Sequence, residues 1–592
     1  MSQEKRLVLF FAISVSFLWL WSALFFKAPP PKPAARKPAA ATPPATHPAP
    51  AQPVPVALPV EQGAKAEEIT VEKGLYRITF STQGAVIKSW VLKKYTDEHD
   101  KQLDVVNQSA CEMLGYPMRV TLPDAALADK LNSAIYVAKQ TGVTAGSPEK
   151  LEFTFSDGKI QIRKLFTFTA SYEVRVQTRV FDGERDLPAG VAWPGGFGDH
   201  SLAPEIASVA DLAFYQTTED EKIVTDHITS SLLGHWFGSG EKAPQELNIR
   251  GSLRFAGLED SYFAAVFLPD SPSDTFQASR EVWTPADWKG SEKEKPSPMR
   301  ALLATAQPAP ISFRLLVAPK DLDVLHAVVP PVDGLVDFGW FKFVAMPLFL
   351  ALRYVHAQWV HNYGWAITIL TLFLNLAMFP LKLKGMKSAK EMQKIAPIVK
   401  EIQERYKQYK FNDPRKQRMN EEIMKLYKEH HVNPVGGCLP MLLQLPLLYG
   451  FYRVLQYSIE LRHAPWIGCV KDLSAPDQCY LFGIHIAILP TIMVVTMFFA
   501  QKMTPTPTAD PAQQRMMMFM PLIFGMMFYR LASGVVLYYL MANVVGIAQQ
   551  LFINKFFPSA GNTSRPARGA ATPKGPPPGR PKARDEKTVS VG

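Results

Sequence analysis

Hydrophobic and polar positions follow two different periods along the chain. From about Ile69 to Leu325 they alternate with period 2, in short runs broken by Gly, Pro, Asp and Asn. LYRITFS (75–81), AVIKSWVL (85–92), LEFTFS (151–156), KIQIRKLFTFT (159–169), YEVRVQTRVF (172–181), SYFAAVFLP (261–269) and ISFRLLVAP (311–319) all predict half-buried strands. Many strands with few helical stretches predict a large antiparallel β-sandwich. Beyond Phe338 the alternation gives way to long apolar runs. Trp365–Leu381 is seventeen residues without a charge, enough to cross about 25 Å of hydrocarbon as a helix at ~1.5 Å per residue. Its single amide, Asn375, either bonds a neighbouring helix or faces a wet cavity, because polar groups at membrane depth pair up or line a pathway.

Further spans are expected at Val435–Tyr452, Leu481–Ala500, Met516–Tyr529 and Val535–Phe552, and a first one at Leu7–Phe26 behind Lys5 and Arg6. That first run has twenty residues and no small-x-small cleavage site, so an uncleaved anchor is expected rather than a secretory signal. Met516–Tyr529 would span only about 21 Å, short of a ~30 Å hydrocarbon core. Local thinning of the bilayer or snorkelling flanks would have to make up the difference. Phe338–Trp359 carries Lys342, Arg353, His356 and several aromatic residues, which suits a helix lying in the interface. Residues 28–60 are rich in Pro and Ala and read as a semi-rigid tether.

Between the spans ending at Leu381 and starting at Val435, residues 382–431 hold fourteen Lys or Arg against seven Asp or Glu. Apolar residues recur there at helical spacing on both sides of Asn412-Asp413-Pro414, predicting a hairpin with Asp413 as N-cap and Pro414 at the first helical position. Its cations, Lys382, Lys384, Lys387 and Lys390 among them, either only fix topology or form a docking surface for lipid headgroups, ribosomal RNA or a protein partner. Either way they place the hairpin in the cytoplasm, the sandwich outside and both termini inside. The tail from Pro558, with seven Lys or Arg against two acids, agrees.

The chain's net charge of +11 therefore reads as membrane topology before it reads as nucleic-acid binding, and no DNA partner is expected. Four cysteines exclude a disulfide framework. Cys469 and Cys479 fall on an outer loop, where an oxidising compartment would allow a bridge, and Cys111 is expected as a small buried hydrophobe. The chain has no hydrolase, zinc-protease or phosphate-loop motif. Asp199, His200 and Glu205 are expected as solvated loop residues. No acidic or histidine relay runs through the spans, and no repeat is visible, which argues against a proton-coupled pump or a transporter. What does recur at membrane depth is neutral polarity, at Thr371, Asn375, Gln444, Thr496, Tyr538, Tyr539 and Asn543, beside a cluster of methionines suited to accepting varied apolar sequences.

The stretches VNPVGGCLPMLLQLPLLYGFY (432–452), VTMFFAQKM (495–503), DPAQQRMMMFMP (510–521) and SGVVLYYLMAN (533–543) resemble the YidC/Oxa/Alb family of membrane insertases in its six-span Gram-negative form. The resemblance covers nearly the whole chain. It implies a multi-span α-helical membrane protein with six transmembrane helices, five of them forming a core, and a large antiparallel β-sandwich outside. The expected divisions are 1–27 anchor, 28–65 tether, 66–330 sandwich, 338–362 interfacial helix, 363–557 insertase core with hairpin 382–431, and 558–592 tail. It also implies a non-enzymatic insertase and chaperone for nascent inner-membrane proteins, with no nucleotide or metal. Such a protein works alone or with the Sec translocon through a hydrophilic groove open to cytoplasm and lipid. The ribosome and signal recognition machinery are the expected partners of the hairpin and tail. One position departs. Similar members carry a groove arginine four residues after a threonine; here Thr371 is followed by Asn375. Polarity without charge is then the expectation for the groove, since Arg530 lies near the outer end of its span.

Overall fold

The computed structural model describes residues 58–556 apart from 143–146, 202–211, 219–222, 226–245, 251–252, 272–273, 281–298, 306–308, 337, 339–341, 410–412, 431–438, 478, 482–483, 486, 504–510 and 530. The anchor at 7–26, most of the tether, Glu205, Arg530 and the tail from Pro558 lie outside the described residues.

Period-2 alternation becomes antiparallel sheet. Val174, Val176, Thr178 and Val180 are buried while Arg175, Gln177 and Arg179 between them are exposed, as one-sided burial of a pleated strand requires. That strand, Glu173–Asp182, pairs with Ile160–Phe168 (Val174 opposite Phe168) and with Ile311–Pro319 (Glu173 opposite Leu316). These are the middle of the largest sheet, which runs on through Phe263–Pro269, Leu253–Glu259 and Leu212–Thr217 at one side and Lys150–Asp157 at the other. A five-stranded and a four-stranded sheet complete the domain. Phe80 of the four-stranded sheet packs on Phe166 at 4.8 Å and on Phe153 at 5.8 Å, and Trp90 approaches Trp193 of the five-stranded sheet at 6.5 Å, so the sheets share one core. Two short helices, α1 (Gln108–Leu114) and α2 (Ala125–Ser133), start at Asn107 and Asp124, whose side chains accept from the first backbone N–H groups.

One inward position is a cation. Lys164 is buried, and its Nζ donates to the carbonyls of Gly84 (2.7 Å), Ala85 (3.1 Å) and Met118 (2.8 Å). All three acceptors have positive φ, of 73°, 48° and 72°. The ammonium ties two left-handed turns, at Gly84-Ala85 and at Met118, whose three carbonyls no ladder satisfies.

The helical part begins with α3 (Leu322–His326) and continues as α4 (Lys342–Gln358), α5 (Tyr363–Ala377), α6 (Phe379–Arg405), α7 (Pro414–Glu429), α8 (Leu439–Tyr457), α9 (Ile488–Met503), α10 (Pro511–Phe528) and α11 (Ser533–Phe556). The exteriors of α5, α9 and α10 are apolar. Leu372, Phe373 and Leu376 on α5, Val495 and Phe499 on α9, and Met518, Phe519, Leu522 and Met526 on α10 are exposed, an arrangement suited to lipid and not to water. Among the described residues only α11 is long and apolar enough to span a membrane by itself, and α5 with α6 passes the same test as one bent pair.

Three spans differ from the sequence pattern. The run Trp365–Leu381 is not one straight helix: α5 stops at Ala377, and α6 leaves at 53°. Pro380, near the start of α6, has no N–H to continue the ladder, so the chain bends there. The run Leu481–Ala500 begins as a two-strand hairpin, Tyr480–Leu481 with Ile484–His485, before α9. Asp477 sets that start, since Oδ2 accepts from Leu489 N–H at 2.7 Å. The third difference is α10, which starts at Pro511 and not at Met516; the added residues, PAQQR, are polar, so the apolar length stays that of Met516–Phe528, about 20 Å.

The hairpin expected over residues 382–431 is formed by α6 and α7. Met392 and Ile395 pack against Tyr427, Arg405 meets Glu422 at 3.2 Å, and Asp413 Oδ1 accepts from Arg415 N–H at 3.0 Å with Pro414 at the first position of α7.

Candidate functional site

Polar side chains inside an apolar helical shell mark the candidate site. On α5 the exposed face is apolar, whereas Thr371 and Asn375 are buried on the opposite face. Thr371 Oγ1 donates to Ile367 O at 2.6 Å and Asn375 Nδ2 to Thr371 O at 2.8 Å, so both side chains are partly spent on their own helix. The amide oxygen of Asn375 points elsewhere. It accepts from Lys382 Nζ at 2.6 Å, across the bend at Met378. From the last helix, Gln549 Nε2 donates to the Asn375 carbonyl at 3.0 Å. Thr371, Asn375, Lys382 and Gln549 therefore form one polar patch between α5, α6 and α11. Lys382 was expected among the outward cations of the hairpin. It is half-buried in this patch instead, because the bend folds its stem back along α5. Lys384 and Lys387 are exposed on α6.

The remaining polar residues separate. Tyr538 is buried and stacked on Phe451 of α8, ring centroids 4.4 Å apart at 11°, inside the packed core. It lies eleven residues before Gln549, about three turns, and so on the same face of α11. Tyr539 and Asn543, one turn apart, lie on another face, and Tyr539 meets Phe528 of α10 at 5.1 Å. Asn543 Nδ2 and Gln549 Oε1 are buried with no hydrogen-bond partner among the described residues. Thr496 Oγ1 donates to Met493 O at 2.8 Å on its own helix, and Gln444 is half-exposed on α8. The nearby α9–α10 contact is closed by Gln501, whose amide donates to Met517 O. Gln549 escaped the sequence reading, and Lys382 was read there as a hairpin cation and not as a partner of Asn375. A glutamine near the end of a span and a lysine just past a proline look like ordinary end residues, and only the bend brings them to Asn375.

A second structural unit holds this assembly at the end nearest the β domain. The loop between α8 and α9 carries the Cys469–Cys479 bridge, with Cα atoms 5.3 Å apart. Its carbonyls accept from the start of α11: Ser533 N–H to Ala475 O at 2.7 Å and Gly534 N–H to Leu473 O at 2.8 Å. At the start of α5, Gly364 lies so close to Trp466 that a Cβ would sit 2.1 Å from the indole, and Asn362 Nδ2 donates to Pro465 O at 2.8 Å. The same loop is joined to the β domain by a fully buried pair, Arg462 with Asp199. Asp199 is thus no solvated loop residue, since the outer loop closes over it. Its backbone N–H donates to Asp260 Oδ2 at 2.8 Å.

Residues 68–351 match the family of YidC periplasmic domains and residues 355–560 the family of 60Kd inner membrane proteins. A membrane protein insertase YidC of Syntrophus aciditrophicus is 33% identical over 93% of this chain and 99% of its own length. That of Citrifermentans bemidjiense is 35% identical over 93% and 99%. The crystal structure of YidC from Thermotoga maritima covers 83% of this chain and 99% of that one at 13% identity, with a TM-score of 0.28, too low for the overlay to carry an argument. Two family matches in tandem and relatives alike from end to end lead to one conclusion: the chain belongs to the YidC family of membrane protein insertases.

Proposed function

We propose that the chain inserts nascent membrane proteins by letting a short hydrophilic segment dwell beside the Thr371–Asn375–Lys382–Gln549 patch while the adjoining apolar segment slides into lipid. This is non-enzymatic work of the inner membrane, with the β domain in the periplasm. The observation that carries the mechanism is the Lys382–Asn375 contact of 2.6 Å inside an apolar helical shell. A polar group at membrane depth lowers the barrier for a passing hydrophilic tail, and the substrate's own apolar burial drives the step. The unpaired amide oxygen of Gln549 supports a wetted groove, because a buried polar atom left without a partner costs ~1–3 kcal/mol.

Six spans, made by the N-terminal run with α5, α8, α9, α10 and α11, fit this role, with both termini and the α6–α7 hairpin in the cytoplasm. The excess of cations in residues 382–431 supports that orientation. Such a groove would open to cytoplasm and lipid. The exposed cations of the hairpin and the tail suit the ribosome or signal recognition machinery, and the lipid-exposed helices leave a side on which the Sec translocon could dock. The test is site-specific photo-crosslinking. A probe at Asn375 or Gln549 should capture a stalled nascent membrane protein, whereas one at Tyr538, packed on Phe451, should not. Crosslinks to lipid alone from Asn375 would refute the groove.

A further inference from the structure

Three metal-ligating side chains meet at the seam between the β domain and the outer loop, remote in sequence from the groove patch. Glu98 stands in the turn after the strand Val86–Thr96; His463 and Asp472 come from the loop between α8 and α9. His463 Nε2 is 3.4 Å from Glu98 Oε1 and 3.9 Å from Asp472 Oδ2, and the three ligand atoms all lie within 4.8 Å of one another. Around a tetrahedral zinc ion with bonds of ~2.0–2.1 Å, two ligand atoms stand about 3.4 Å apart. Small side-chain rotations close the difference.

Two further observations point to a cation. The other imidazole nitrogen, Nδ1, lies 3.0 Å from Thr96 Oγ1. With Nδ1–H donated to that hydroxyl, the Nε2 lone pair is aimed at two carboxylates, which is repulsive unless a proton or a metal ion sits between them. An oxygen holding the far nitrogen is also the usual outer support of a metal-bound histidine. The second observation concerns Asp472. Its Oδ1 accepts from Ser474 N–H and O–H, both at 2.7 Å, while Oδ2 is shut off from solvent and makes no well-formed hydrogen bond.

We propose that Glu98, His463 and Asp472 bind a divalent transition-metal ion, zinc fitting best, which staples the β domain to the outer loop. One imidazole and two carboxylates with a fourth position left to water is a donor set that zinc accepts. The same loop holds the starts of α5 and α11, so the ion would brace the outer end of the helical assembly.

The experiment uses the full chain in detergent, purified without a histidine tag and stripped with a chelator. Non-reducing conditions keep the Cys469 and Cys479 thiols from binding zinc themselves. Zinc is titrated against a chromophoric competitor, and bound metal is counted by elemental analysis. About one ion per chain is expected. Glu98→Gln and His463→Asn should each abolish it or weaken it more than a hundredfold. Thr96→Val should keep the stoichiometry and weaken binding about 10–100-fold, as loss of an outer partner does. Asp199→Asn, which breaks the neighbouring pair without touching a ligand, should still bind. No zinc uptake by the stripped wild type would leave a proton as the bridging cation and overturn the proposal. Unchanged uptake in Glu98→Gln would overturn it equally, as would loss of binding in Asp199→Asn to the same degree as in His463→Asn.

Discussion

Asn375→Arg should impair insertion while Lys382 remains, and neutralising Lys382 in the same chain should restore it. In the native protein the Lys382 ammonium donates to Asn375 Oδ1 at 2.6 Å. A guanidinium at position 375 would replace that acceptor by a second cation. Two unit charges ~4 Å apart repel by about 4 kcal/mol at an effective dielectric constant near 20, and the lost charged hydrogen bond removes a further ~1.5–3 kcal/mol. Asn375→Leu loses only the hydrogen bond, so it should be the milder single change. In the double variant Asn375→Arg/Lys382→Gln one cation is again held by one amide with the roles exchanged. The double-mutant cycle should then show a coupling of several kcal/mol in favour of the double variant. The assay is protease protection of a small single-span substrate, pulse-labelled in cells depleted of their resident insertase, with the level of each variant checked in the membrane. Wild-type insertion by Asn375→Arg alone, or a double variant no better than its worse parent, would refute the idea that Lys382 supplies the charge of this site. The sequence pattern by itself suggested that polarity suffices at position 375; the Lys382 contact makes charge balance the quantity this cycle tests.

Other outcomes follow from the β domain and its seam. Burial pulls the Lys164 ammonium down to about 7, so between about pH 7 and 10 the unfolded chain binds more protons and wild-type stability should rise with pH. Lys164→Met strands three carbonyls at ~1–3 kcal/mol each, offset by the removed desolvation. The variant should melt lower, and the gap should widen from pH 6 to pH 9 in thermal scans; a gap that narrows would contradict the sign. Arg462→Met alone leaves Asp199 buried and unpaired, a loss of ~3–5 kcal/mol, and Asp199→Asn in the same chain should recover most of it, read as the unfolding midpoint of the purified protein. Deleting residues 66–318 removes that partner of Arg462, so the deletion combined with Arg462→Gln should insert substrates better than the deletion alone. Equal activity would mean that the seam does not act on the helical assembly.

Local pattern carried far in this chain. Strands expected at 75–81, 151–156 and 311–319 appear as Tyr76–Ser81, Lys150–Asp157 and Ile311–Pro319, because alternation and turn residues act over a few positions and one face of each strand is buried. Asp413 and Pro414 were legible for the same reason, since a cap and a first helical proline work within three residues. The tertiary structure decided what is joined across long separations. Gln549 meets Asn375 over 174 residues and Arg462 meets Asp199 over 263, and no period in the sequence encodes either pairing. Nor did the apolar run from Trp365 announce that it would bend beyond Ala377 and return Lys382 to the amide it had just passed. Composition fixes which segments leave water, since transfer free energy sums residue by residue. The identity of the few polar groups that meet inside depends on bends and packing, where a single proline or one buried ion pair outweighs any average over the segment.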